Sequence, residues 1–219
     1  MPPSGLSAWG FMDFALVFIM WAIMMAAMML PSAIPMTLAF SHVSRQRQTT
    51  IYRPTVVFVL AYLCAWLAFS IVLTLLQWQM HGLAWLSPRM ENKNPLLASV
   101  ILILAGVYQF LSFKNACLKF CRSPMTFLLS EWQEGYKGAY KMGLKHGATC
   151  VGCCWAQMLI MFAVGVMNLL GMAFITLVVI LEKLTPAYTG LISKTCGFAF
   201  VLWGLYFLSK NYARIGLLV

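Results

Sequence analysis

The chain has 219 residues, 62% of them hydrophobic and 9% charged, with a mean hydropathy of +0.84. A soluble domain of this size cannot bury that much apolar surface, so the composition calls for a bilayer as solvent. The formal charge of +10 comes from Lys and Arg placed between or beside apolar runs, where they fix topology, and this excludes a nucleic-acid partner.

No Lys or Arg precedes Arg45, so the basic start of a signal peptide is missing and the first apolar segment is expected to stay as a helix. Seven cysteines is an odd number in a chain that is not a small secreted scaffold, and reduced thiols are expected rather than a disulfide framework. About 20 apolar residues cross a hydrocarbon core. Six candidate helices follow: 12–40, 54–80, 96–116, 147–168, 170–184 and 187–209. The expected fold is all-α, a polytopic transmembrane helical bundle of about six helices forming one integral membrane domain over residues 1–219.

The first helix carries Met20-Trp21-Ala-Ile-Met24-Met25-Ala-Ala-Met28-Met29. Met20, Met24 and Met28 make one i,i+4 ridge and Met25 with Met29 the next, so thioethers share a face. Those methionines suit weak Cu(I) contact, and they equally suit core packing, with Ala22, Ala26 and Ala27 allowing close approach. Pro31 and Pro35 are expected to kink or break this helix and free backbone carbonyls. The second helix holds Cys64, which we read as packing, and ends near His81. The third ends on Cys117 and Cys121, spaced to share a face beside Lys114, Lys119 and Arg122. Residues 117–146 are expected as a cytoplasmic loop with an interfacial helix around Met125–Gly135.

The fourth helix opens on His146-Gly147-Ala-Thr-Cys150-Val-Gly-Cys153-Cys154-Trp155. If the helix already runs at Cys150, about 100° per residue puts Cys150, Cys154, Gln157, Met161 and Asn168 on one stripe, with Cys153 at its edge. Thiolates and thioethers select soft or borderline ions, above all Cu(I), with zinc or an iron–sulfur cluster as alternatives. A single membrane cysteine is ordinarily a small packing residue, but three beside an imidazole point to metal or redox chemistry. The fifth helix is short, follows a turn at Asn168–Gly171, and is open to a half-helix or re-entrant reading. It ends on Glu182-Lys183, an ionisable pair that is either functional or an interfacial helix end. Cys196 in the sixth is read as packing.

The positive-inside rule orients the bundle. Arg45, Arg47, Arg53, Lys114, Lys119, Arg122, Lys137, Lys141, Lys145, Lys183 and Lys194 lie on one side, against Arg89, Lys93, Lys210 and Arg214 on the other. Both termini are then outside, and Cys117, Cys121, Cys150, Cys153 and Cys154 gather at the cytoplasmic face of a bacterial or archaeal inner membrane. His42 lies near them and His81 does not. No P-loop, dinucleotide fingerprint or HExxH motif is present, and hydrolytic or phosphoryl-transfer chemistry is not supported.

The segments Trp21–Pro35, Gly106–Lys114, Cys117–Pro124, Gly143–Met161, Gly165–Asn168 and Glu182-Lys183 together resemble the bacterial and archaeal predicted metal-binding integral membrane proteins, a domain family of unknown function with a CxGCCW motif. The resemblance covers most of the chain. It implies that Cys117, Cys121, Cys150, Cys153, Cys154, Met24, Met25, Met28, Met29 and Glu182 fall in shared motif blocks, while Gln157 stands where an apolar residue is expected. The metal-ligand candidates are these ten together with His146 and Met161. The leading expectation is copper handling or delivery, with partners in the lipid bilayer and a metal donor or acceptor protein. Two alternatives are an accessory or structural subunit of a larger membrane complex, such as a copper-dependent oxidase or monooxygenase, and a thiol-redox protein using Cys153-Cys154 or Cys150-Cys153.

Overall fold

The computed structural model describes residues 10–47, 52–82, 95–166, 168–185 and 188–216, and all that follows concerns those. Arg89, Lys93 and Met167, which entered the orientation and the resemblance, lie outside the described residues, as do the side chains of Arg47 and Arg214. Among the described residues every regular element is a helix: α1 Phe11–Arg47, α2 Tyr52–Gly82, α3 Pro95–Tyr108, α4 Ser112–Arg122, α5 Pro124–Glu131, α6 Gly135–Val164, α7 Leu169–Leu184 and α8 Thr189–Gly216. Four helices are long and apolar enough to cross a membrane, namely α1, α2, α6 and α8, or five if α3 and α4 count as one broken span.

The differences from the six-helix expectation have local causes. The third span is interrupted after Tyr108, where the amides of Gln109, Phe110 and Leu111 bond to carbonyls three residues back, at 3.1, 3.0 and 3.1 Å. That tighter winding ends the α-helical ladder. The expected loop 117–146 is mostly helical, taken up by α4, α5 and the first turns of α6. A helix covers part of the expected Met125–Gly135 segment, as the eight residues of α5.

The turn after α6 also sits earlier than its apolar run suggested. Gly165 adopts φ +107°, a conformation that costs glycine little, and its amide bonds to Met161 O at 2.9 Å, closing the helix. Asn168 therefore leaves the α6 stripe and caps α7, its Oδ1 accepting from the Gly171 amide at 3.1 Å. The sixteen residues of α7 rise about 24 Å, short of a hydrocarbon core of about 30 Å.

α1, in contrast, does not break at Pro31 or Pro35. Both prolines lie on its exposed side, and the buried side is reinforced by Ser32 Oγ donating to Met29 O at 2.9 Å. Thr37 Oγ1 adds a bond to Ala33 O at 3.0 Å.

The chain divides into two compact units. One comprises residues 18–73 and 113–153, the other residues 1–17, 74–112 and 154–219. In the first, the core joins Met36 and Phe40 of α1, Phe58 of α2, Phe127 and Leu128 of α5, and Ala139 and Met142 of α6. Phe40 and Phe58 stack at 4.6 Å between centroids. α2 and α6 approach through small residues: a Cβ on Gly143 would stand 2.3 Å from Phe58 O, and one on Gly147 would stand 2.7 Å from Ala65 Cβ. In the second unit α3 packs on α8 in the same manner, with Gly106 against Gly197 O and Val201, and Gly204 against Ile103 and Ser99. Apolar residues drive no association when the solvent is itself hydrocarbon, so close van der Waals contact at small residues is what holds such helices together.

A side chain at Gly143 has no space to enter. Gly143→Val is expected to destabilise the fold by about 1–3 kcal/mol, as overpacking of a close interface does. Gly190→Ala, at a position with nothing within 4 Å, should instead be neutral or gain up to about 1 kcal/mol. Unfolding of the two purified variants in a denaturing-detergent titration would show whether that order holds.

Candidate metal centre

α6 runs as continuous helix through Gly143–Gly152, so Cys150 and Cys153 are three residues apart on one buried face. α4 supplies the third thiol. The Sγ atoms of Cys121, Cys150 and Cys153 all lie within 4.8 Å of one another, and Cys121 Sγ is 4.0 Å from Cys153 Sγ. Three sulfurs around one ion at metal–thiolate bonds of about 2.3 Å stand roughly 4.0 Å apart in a plane. The trio is thus already close to the spacing that a shared soft ion requires.

The neighbours explain how α4 reaches α6. A Cβ on Gly152 would meet Cys117 Sγ at 3.4 Å, so Cys117 seats against the glycine while Cys121, one turn further on, meets the α6 thiols. Leu118, between them in sequence, is buried. Cys153 Sγ donates to Cys150 O at 3.1 Å, and Tyr62 Oη lies 3.3 Å from Cys150 Sγ. All seven cysteines are thiols. Both dithiol pairs anticipated from the sequence lie within α6, whereas the 4.0 Å thiol contact joins α4 to α6.

His146 is buried but stands outside the thiol group. Its ring is enclosed by Phe58, Tyr62 and Phe127, with centroids at 6.1, 5.6 and 5.8 Å. Met24, Met25, Met28 and Met29 are all buried, on the same side of α1 as Trp21 and Met36. Ile19, Ile23, Leu30, Ile34 and Leu38 occupy the exposed side. His42 is exposed and pairs with Gln46 at 3.3 Å.

Cys154, Met161 and Glu182 are buried as well, but in the other unit. There Glu182 accepts from Ser193 Oγ at 2.9 Å and from Gln157 Nε2 at 3.3 Å. Gln157, the polar residue in an apolar place, is therefore a partner of the buried carboxylate. Lys183 is 8% exposed and Lys114 is fully buried. Each makes further contacts within the protein, as a buried ammonium must.

Sequence reasoning missed Tyr62 and Ser193. Tyr62 carried one available signal: a hydroxyl in the middle of an apolar helix needs a partner, and two of the nearest helices offer one.

A family model described as PpoB2, copper chaperone, matches residues 18–207. The chain belongs to the PpoB2 copper chaperone family. Neither a curated protein nor a solved structure matches it.

Glu182→Ala would leave two buried donors without their acceptor, at about 1–3 kcal/mol each. Glu182→Gln keeps an acceptor in place and should cost less. Detergent unfolding of both variants would measure the gap, and equal stability would mean that the carboxylate is not what satisfies Gln157 and Ser193.

Proposed function

We propose that this protein is an integral membrane copper chaperone that carries Cu(I) on Cys121, Cys150 and Cys153 and passes it on by ligand exchange. The observation that carries this reading is the buried trio of sulfurs within 4.8 Å, drawn from two helices of one compact unit. The family's description as copper chaperone supports the metal, and the four long apolar helices support the membrane. Thiolates select Cu(I) among the ions a cell offers, and Cu(I) is satisfied by three sulfurs where structural zinc takes four ligands.

Copper is cargo in this scheme. As it binds, thiol protons leave and three S–Cu bonds form with no change of oxidation state. In transfer, an incoming thiolate or thioether adds to the ion as one of the three leaves. Cys117 is placed for that step, because it lies one turn from Cys121, contacts Gly152 and is partly exposed. The thioethers of Met24, Met25, Met28 and Met29 form a second, weaker set of Cu(I) donors on the buried side of α1. Exposed Lys137, Lys141 and Lys145 line one side of the first half of α6, in the same unit as the thiols, which supports a cytoplasmic location for the site. The Lys145–Glu131 contact at 2.7 Å is a surface pair of little energetic weight.

Elemental analysis of the purified chain, reconstituted with Cu(I), tests the reading. One copper per chain is expected in the wild type and in Cys64→Ser/Cys196→Ser, and none in Cys121→Ser/Cys150→Ser/Cys153→Ser. Cys117→Ser should keep its copper and release it more slowly to a chelating acceptor. A folded triple variant that still holds one copper would overturn the site.

A further inference from the structure

Tyr62 is fully buried on α2, and its hydroxyl oxygen stands 3.3 Å from Cys150 Sγ and 3.3 Å from Met29 O. A phenol has one proton and can give it to only one of these groups at a time. When Cys150 is a thiol, both contacts are satisfied as a chain, with S–H donating to the phenol and the phenol donating to Met29 O. A copper-bound Cys150 has no proton, and its sulfur can only accept. The 3.3 Å contact is then a hydrogen bond only if the phenol turns its O–H away from Met29 and onto sulfur.

The surroundings permit that turn. Met29 O keeps a donor, because Ser32 Oγ reaches it at 2.9 Å. The phenol itself has little freedom to leave. A Cβ on Gly147 would lie 2.9 Å from Tyr62 O, so backbone meets backbone there, and the ring lies against His146 at 5.6 Å with an interplanar angle of 29°. The aromatic box around His146 therefore holds the hydroxyl over the sulfur.

We infer that Tyr62 is a positioning residue of the copper site, donating its hydroxyl proton to the copper-bound sulfur of Cys150 and so setting how tightly the site holds its cargo. This rests on the reading of the thiol trio as the Cu(I) site. Partners that hydrogen-bond to a metal's ligands typically change metal affinity by about tenfold to a hundredfold when removed. A charge-assisted bond to an anionic sulfur stabilises the loaded form and lowers the energy of the sulfur lone pairs.

The test compares the full-length wild type, Tyr62→Phe, and a protein in which Tyr62 is replaced by a ring-fluorinated tyrosine, a stronger donor. Each is titrated with Cu(I) in detergent against a chromophoric Cu(I) chelator, and the near-ultraviolet thiolate-to-copper band is recorded. Tyr62→Phe should bind about tenfold to a hundredfold more weakly, with the band moved to lower energy. The fluorinated protein should bind more tightly, with the band moved the opposite way. Should Tyr62→Phe lose thermal stability yet keep wild-type affinity and band position, the role is structural and the inference fails. Should Tyr62→Phe not fold, an unchanged affinity and band in the fluorinated protein would overturn it in its place. Absence of stoichiometric Cu(I) in the wild type would instead remove the site itself.

Discussion

The approach of α6 to α2 at Gly143 and Gly147 is the contact on which the thiol site depends. Backbone atoms of Phe58 and Tyr62 occupy the space that side chains at those two positions would need. That proximity does three things together. It brings the Tyr62 hydroxyl to Cys150, it slots His146 among aromatic rings, and it presents the next turn of α6, with Cys150 and Cys153, toward α4. In hydrocarbon no solvent-driven force would hold a looser arrangement in register, so the geometry of the sulfurs inherits the tolerance of a glycine contact.

The metal-free site is not an open set of ligands. Cys153 spends its proton on the Cys150 carbonyl, and Cys150 shares one with Tyr62. In the proposed site, taking up an ion ends the Cys153 bond and reverses the Tyr62 one, the phenol then donating to the sulfur. The bond given up by Cys153 works against metal binding in the proposed site, and the one kept by Tyr62 works for it. The buried Glu182 group has a different make-up, one carboxylate that accepts from Gln157 and Ser193.

The sequence made the chemistry legible before the architecture. Cys150, Cys153 and Cys121 were identifiable from spacing and residue type, because soft ligands clustered at one helix end are rare in an apolar chain. Their gathering at one end was expected from the topology, but which three meet was not, since Cys121 and Cys153 are separated by thirty-two positions and come together through the packing of α4 on α6. Hydropathy located the apolar runs well but placed their ends badly. The break at Gln109–Leu111 and the cap at Asn168 are hydrogen-bond events inside apolar stretches, to which an average over about 20 residues is blind. Lys114 and Lys183 entered the topology count as cations at helix ends, and nothing in that count registers their burial.

α1 shows the same lesson. Its two sides hardly differ in hydrophobicity, and no amphipathic signal separates them. They differ in chemistry. Branched Ile and Leu are exposed, and Met24, Met25, Met28 and Met29 are inside with Trp21. Burial of these methionines is what core packing and thioether contact would both produce. The Tyr62 hydroxyl touches the backbone of that helix at Met29 and the thiol at Cys150. In the proposed site it is the covalent-free link between the strong sulfur donors of α4 and α6 and the weak ones of α1. An ion leaving Cys150 would have to be replaced there by a proton from solvent before the phenol could again donate to Met29 O.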